Sequence, residues 1–219
     1  MEINNISKTL ENEKKKYVEN KVEEYMAQGI PESEAINKAN QSWRASVGSK
    51  IQDVIYEILK KSLKNTKLKL TTDKVLTSKN LSEELDKVKR LIAINYGGYL
   101  FLPDADIIVY KVKGKEINII AIISVKNSFR ERGFETTYWR LKLKESSVTS
   151  HIKVFLATPD KDNEISHKCP NKKPRKMRTI LEYELDGIYF LKEDFDETEK
   201  VKHFENIIDD ILRISNEVC

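Results

Sequence analysis

The chain has 219 residues, 39% hydrophobic and 34% charged, with a net charge of +4. That length supports one well-buried core with a small appendage, and no apolar run approaches the ~18 residues that a membrane span needs. Residues 1–16 are charged where a secretory leader carries its apolar segment. Two cysteines, Cys169 and Cys219, are too few for a disulfide framework or a cysteine-rich zinc site, so a reducing cytoplasm is the expected compartment.

Residues 8–28 are rich in Lys and Glu and predict a helix, with Gly29 as its stop and Pro31 opening a second helix that runs to about residue 47. Gly48 is expected to break that helix and Ser49 to cap a third over residues 50–64. There Ile51, Val54, Ile55, Ile58 and Leu59 form a stripe at helical spacing that should face a core. A further helix is expected over residues 81–95, stopped by Gly97-Gly98. The apolar period then changes from 3.6 to about 2. Residues 99–102 and 106–110 predict strands, Lys113-Gly114-Lys115 a hairpin turn, and the β-branched run 117–125 a strand buried on both faces. A helix over 134–144, a strand over 151–157, a polar loop over 159–173, a helix over 175–184, a short strand over 187–191 and an amphipathic helix over 197–214 follow. This order predicts an α/β fold: a central mixed β-sheet flanked by helices, with a helical N-terminal extension. The expected division is residues 1–47, helical, and 48–219, the core.

The stretch from residue 102 to 145 carries the chemistry. Alternate residues of a strand share a face. Asp104 and Asp106 are therefore expected on one face, Ser124 and Lys126 on another, and the hairpin should bring acid and base together at one sheet edge. A carboxylate and a lysine at an open edge suit a Mg²⁺ site that activates water against a phosphodiester, because Mg²⁺ takes oxygen ligands, often one or two carboxylates plus substrate phosphate. Just beyond lie Arg130, Glu131 and Arg132; three of the eight arginines fall within eleven residues. Arginine donates two parallel bonds to guanine and glutamate accepts from the cytosine amino group, so this triplet suits G·C pairs in a major groove.

These residues resemble the PD-(D/E)XK nuclease core. Lys126 followed by Arg130-Glu131-Arg132 resembles the K-x-x-x-R-(D/E)-R signature of CCGG-type type II restriction endonucleases. The string AIISVKNSFRERGFETTYWRLKLKE, with LPDADI before it, looks closest to the BsaWI-like group. The resemblance runs over about residues 43–184. It implies a restriction-endonuclease-like core, Mg²⁺ as cofactor, and hydrolysis of double-stranded DNA at a short palindromic, G·C-containing site. A palindrome implies a homodimer. A cognate DNA methyltransferase is implied in the same restriction–modification system. Asp104 corresponds to the metal-binding aspartate, Lys126 to the active-site lysine, and Arg130, Glu131 and Arg132 to base readers.

Two departures stand out. Ser124 occupies the second acidic position of the motif. The glutamate that replaces it in the CCGG group, thirteen or fourteen residues past the lysine, is absent, because those positions hold Trp139 and Arg140. Glu135, one helical turn earlier, and Glu57, on the third expected helix, are the candidate substitutes, and Asp106 is an alternative or second metal ligand to Asp104. The missing glutamate keeps open a rival reading, a non-catalytic sequence-specific DNA-binding protein on a nuclease-like core. Residues 168–178 hold six basic residues and no acid. Of these Lys172, Lys173, Arg175, Lys176 and Arg178, together with Arg140, are expected on the DNA backbone. Trp43 and Trp139 are expected to pack. Helices 5–47, too poor in apolar residues for a core of their own, are expected to pack on a partner subunit or clamp DNA.

Overall fold

A computed structural model describes residues 3–129 and 134–217, with side chains from residue 12 onward except at 44 and 45. Helix α1 spans Ile3–Ala27 and turns at Gly29, whose φ of +83° is left-handed and suits glycine. Helix α2 then runs unbroken over Glu32–Ser62, directly after Pro31. The expected break at Gly48 is absent. A glycine inside a helix costs ~1 kcal/mol against alanine, and burial outweighs that cost here. Ala35, Ala39, Trp43, Val47, Ile51, Ile55, Leu59 and Leu63 recur every fourth residue across Gly48, and all are buried. Four residues turn ~400°, so this stripe drifts ~40° per step around the helix. Its first half meets α1, where the Tyr17 ring lies 5.4 Å from Trp43 and the Tyr17 hydroxyl bonds Ser42 at 2.6 Å. Its second half joins the core against the sheet. A Cβ added at Gly48 meets nothing within 4 Å. Gly48→Ala is therefore expected to stabilise the protein by ~0.5–1 kcal/mol, read as a higher urea midpoint with an unchanged slope.

The remaining elements are β1 (Leu68–Thr72), α3 (Asp73–Leu76), α4 (Glu83–Ile92), β2 (Ile94–Tyr96), β3 (Tyr99–Phe101), β4 (Ile107–Lys113), β5 (Glu116–Val125), α5 (Glu135–Lys144), β6 (Lys153–Thr158), α6 (Lys176–Glu184), β7 (Gly187–Phe190), β8 (Val201–His203) and α7 (Asn206–Glu217). Among the described residues six strands form one mixed sheet in the order β1-β4-β5-β6-β7-β8; β1, β4 and β5 pair antiparallel, and β5 through β8 pair parallel. Alternation sorts the side chains into two layers. Ile107, Val109, Ile123 and Phe155 face α2 and α7, while Ile108, Ile122, Leu156 and Ile188 face α4, α5 and α6. The central strands are apolar on both faces, as the run 117–125 predicts. The fold is thus a mixed sheet flanked by helices, as expected. No helix among the described residues is long and apolar enough to cross a membrane.

Three local expectations are corrected. The segment 68–76, left without an element, forms edge strand β1 and the short α3. Helix α4 ends at Ile92, so Gly97-Gly98 is the two-residue turn of the β2–β3 hairpin, with Gly97 at a φ of +68°. Residues 201–203 belong to β8 rather than to the last helix, because Val201 pairs with Ile188 and the Phe204 amide bonds the Phe190 carbonyl at 3.0 Å. Sheet pairing here outcompetes the helical period.

Candidate active site

The end of β5 sets the site. Strand β4 begins only at Ile107, so residues 102–106 approach the sheet as irregular chain beside the last residues of β5. The Val125 amide, which has lost its strand partner there, donates to Asp106 Oδ2 at 2.6 Å. One residue on, the Lys126 amide is held by the Ala157 carbonyl of β6 at 3.1 Å. Lys126 is thereby fixed at a sheet terminus with its chain directed back toward the acids. Its Nζ donates to Asp104 Oδ2 and lies 3.7 Å from Glu135 Oε2 at the start of α5.

Burial opposes the Lys126 charge, but the hydrogen bond and charge of Asp104, with Asp106 and Glu135, outweigh it and hold the ammonium above its ordinary pKa. Asp106 is the opposite case. Its burial pushes its carboxyl up to about 6, against the lowering effect of the Val125 amide; Asp104 raises it further, Lys126 lowers it, and Asp73 raises it. The folded value thus exceeds the unfolded value of ~3.9. Between about pH 4 and 6 the folded chain binds more protons than the unfolded chain, so stability falls as pH rises through that window. Asp106→Asn keeps the acceptor for Val125 and removes the charge. In EDTA at pH 7 it is expected to stabilise the fold by roughly 2 kcal/mol, a gain that vanishes near pH 4, as urea denaturation at the two pH values measures.

Ser124 sits fully buried, and its hydroxyl accepts from Thr136 of α5 at 3.2 Å, so it ties α5 to β5. Asp104, Asp106, Ser124, Lys126 and Glu135 therefore come together. Glu57 does not join them. It is exposed and pairs with Lys60 at 3.3 Å. The α2 residue that reaches the site is Gln52, buried, donating to the Asp106 carbonyl at 2.9 Å and to Asp73 Oδ1 at 3.3 Å. A polar residue inside the apolar stripe of α2 is the signal that marks Gln52; Asp73, on the short α3, carries no such signal. Among the described residues no three acids, histidines or cysteines stand close enough to hold a cation by themselves.

Past Lys126 the chain is fastened from the β6 side. The Lys161 amide donates to the Asn127 carbonyl at 3.1 Å, and Asp162 Oδ2 accepts the Phe129 amide at 3.0 Å. The loop supplying both contacts is organised by the buried Asp160, which accepts from the Glu164 and Ile165 amides and from the Ser166 hydroxyl. Arg130, Glu131 and Arg132, the expected base readers, lie outside the described residues.

A family model described as BsaWI restriction endonuclease type 2 matches residues 84–210, a span that contains the whole cluster around Lys126 except Gln52 and Asp73. A protein of Methanocaldococcus jannaschii, named as a type II restriction enzyme, MjaVIP, is 73% identical over 218 residues, covering 100% of this chain and 96% of its own. This chain belongs to the BsaWI family of type II restriction endonucleases. It is 46% identical over 156 residues to a Helicobacter pylori protein named as a type II restriction enzyme, HpyAORF263P, across 71% of this chain and 80% of that one. In fold, the endonuclease is similar to PspGI in complex with substrate DNA (TM-score 0.56, 16% identity, 93% of this chain and 74% of that one). It is similar also to BsaWI in a pre-specific DNA complex (TM-score 0.51, 11% identity, 98% and 91%).

The basic residues of this endonuclease divide by burial. Arg140 and Arg178, expected on the DNA backbone, are internal. Arg140 donates to the Ile152 carbonyl at 3.1 Å and to Asp186 Oδ1 at 3.1 Å, with which it forms an ion pair. Arg178 is fully buried and bonds the carbonyls of Ile165, Ser166 and Asp196. Both are corrected to struts, because each guanidinium is buried and turned to internal carbonyls and carboxylates rather than to a surface a phosphate could reach. Arg175 pairs with Glu164 at 3.0 Å, while Lys172, Lys173 and Lys176 are exposed. His167 turns to Asp194 and Asp196. Trp43 and Trp139 pack, as expected.

Proposed function

We propose that this endonuclease cuts double-stranded DNA at a short, palindromic, G·C-containing site, acting as a homodimer in the cytoplasm, with Mg²⁺ as cofactor and a cognate DNA methyltransferase in the same system. The observation that carries this reading is Lys126, held at the end of β5 against Asp104 and Glu135, with the half-buried Asp106 beside it. The donors suit a hard divalent cation. All are carboxylate oxygens, and a cation beside Asp106 would offset the burial and the Asp104 charge that push its carboxyl up. With fewer than three convergent ligands the rest of the coordination falls to water and substrate phosphate, the usual habit of Mg²⁺. Asp104 and Asp106 would hold the ion, while Glu135, 3.7 Å from the Lys126 ammonium, would act from the second side of that lysine.

Bound there, Mg²⁺ supplies Lewis acidity at the phosphoryl oxygen and an acidified water. The protein's own part falls to Lys126. Its ammonium donates to the attacking water, aligns it with the phosphorus, and offsets the negative charge that builds as the new P–O bond forms and the P–O3′ bond breaks, leaving a 5′-phosphate. Arg130, Glu131 and Arg132 read bases; Lys172, Lys173, Arg175 and Lys176 contact the backbone; helices α1 and α2 clamp DNA or meet the second subunit.

Incubation with phage DNA and Mg²⁺ tests this. Discrete bands that EDTA abolishes are expected, and mapping their ends gives the site. Arg132→Ala is then expected to cost ~1–3 kcal/mol in discrimination between cognate and altered sites; an equal loss on all sequences would demote the triplet to phosphate contact. A specific observation favours the second reading, a non-catalytic DNA-binding protein: the position of the family's downstream glutamate is held by Trp139 and Arg140, and Arg140 is locked on Asp186. Salt-sensitive binding without bands supports that alternative.

A further inference from the structure

We propose that the β2–β3 hairpin is a DNA-contacting wedge, with Tyr99, Leu100 and Phe101 lying against the base and sugar faces of the duplex beside the phosphate that is cut. The location of that phosphate rests on the nuclease reading of the Lys126 site.

These three consecutive side chains are 71%, 68% and 52% exposed. A surface run of large apolar side chains marks a contact site. The hairpin behind them is braced. Three-residue strands are marginal alone, but Ile94 is buried in the core, the Tyr96 and Tyr138 hydroxyls bond at 2.7 Å, and the Tyr96 ring lies 5.8 Å from Phe101. Tyr99 and Phe101 share one face with Tyr96, while Leu100 stands on the other beside Asn95. The tip is therefore apolar on both faces and fixed at its base.

Its position favours DNA. Strand β3 runs straight into Leu102-Pro103-Asp104, and at ~3.5 Å per residue Phe101 stands within ~11 Å of Asp104. On the other side, Tyr138 lies one turn along α5 from Glu135, a rise of ~4.5 Å. Both elements that build the patch thus carry a site carboxylate at one end. A duplex with a phosphate at Lys126 has a major groove ~12 Å wide, so it meets the hairpin within one groove width. Area disfavours a second copy as occupant. With Tyr138 included, four side chains of ~150–250 Å² that are 44–71% exposed offer on the order of 400–500 Å², short of the ~800 Å² per partner of a stable interface.

The test uses the full chain with Tyr99→Ser and Phe101→Ser together, and Leu100→Ser alone as a second variant that leaves both rings in place. Circular dichroism checks the fold. A short fluorescein-labelled duplex carrying the mapped cleavage site is titrated in EDTA, with anisotropy as the readout and sedimentation run in parallel. Each variant is expected to raise Kd about tenfold, with the salt slope and the oligomeric state unchanged, because an apolar contact releases no counterions. Unchanged affinity overturns the proposal. So does a loss that flattens the salt slope, which is phosphate contact, or one that accompanies dissociation, which makes the patch an interface between copies. If the wild-type protein leaves DNA uncut, the cleavage reading fails, and the same titration on a mixed-sequence duplex still decides the hairpin.

Discussion

Lys126→Ala is expected to lower cleavage by about 10²–10³-fold or more while Kd for the cut duplex, measured in EDTA, stays within about tenfold. The size follows from what the ammonium touches. It is the positive charge that faces Asp104, Asp106 and Glu135 together. On the proposed mechanism, removing it takes away the donor to water and the charge that offsets the transition state. It also removes an interaction that lowers the Asp106 pKa, so that half-buried carboxyl, already up at about 6, holds its proton more tightly. Lys126→Arg restores charge without the compact, rotatable donor set and is expected to recover little activity. A fully active Lys126→Ala protein would remove the mechanism.

Arg178→Ala is expected to destabilise the fold by about 3–5 kcal/mol. Nη1 bonds the Ile165 and Ser166 carbonyls at 2.8 and 3.0 Å, Nη2 the Asp196 carbonyl at 2.7 Å, and Nε Glu182 at 3.1 Å. Truncation strands three carbonyls and a carboxylate around a hole. Lysine cannot reproduce that fork, so Arg178→Lys is expected to rescue only part. Urea denaturation measures the loss. The salt slope of DNA binding separates a strut from a phosphate contact. It is expected to stay unchanged in Arg178→Ala, at a temperature where the variant is folded, and to fall by up to ~3 when Lys172, Lys173 and Lys176 are replaced together by alanine. A well-folded Arg178→Ala protein with a flattened slope would return this arginine to the DNA surface.

The arrangement of Asp104, Lys126 and Glu135 was legible because it follows from a long apolar hairpin and a helix start, both strong local signals. What was missed depends on burial, which composition does not print. Arg178 lies three residues before the buried Leu181, and Arg140 three before the buried Leu143; the helical period puts both arginines on inward faces, yet their charge alone suggested solvent. Gly48 looked like a stop because propensity is local, whereas the four-residue stripe that overrides it spans the whole of α2. Gly97-Gly98 between Tyr96 and Tyr99 is a two-residue hairpin turn signal, masked by the preceding helical pattern. The short strands β1 and β8 owe their existence to neighbours in the sheet.

The fastening of the chain on both sides of residues 130–132, proposed to read bases, bears on retargeting. Upstream, Lys126, Asn127 and Phe129 are tied to Ala157, Lys161 and Asp162; downstream, Thr136 is tied to Ser124. On the proposed roles, the described ties on either side enclose the segment that holds the triplet, so the number of residues between them would set the offset between the base that is read and the bond that is broken. Exchanging side chains in the triplet is then expected to change the site with the cut position intact, whereas one inserted residue is expected to shift both at once.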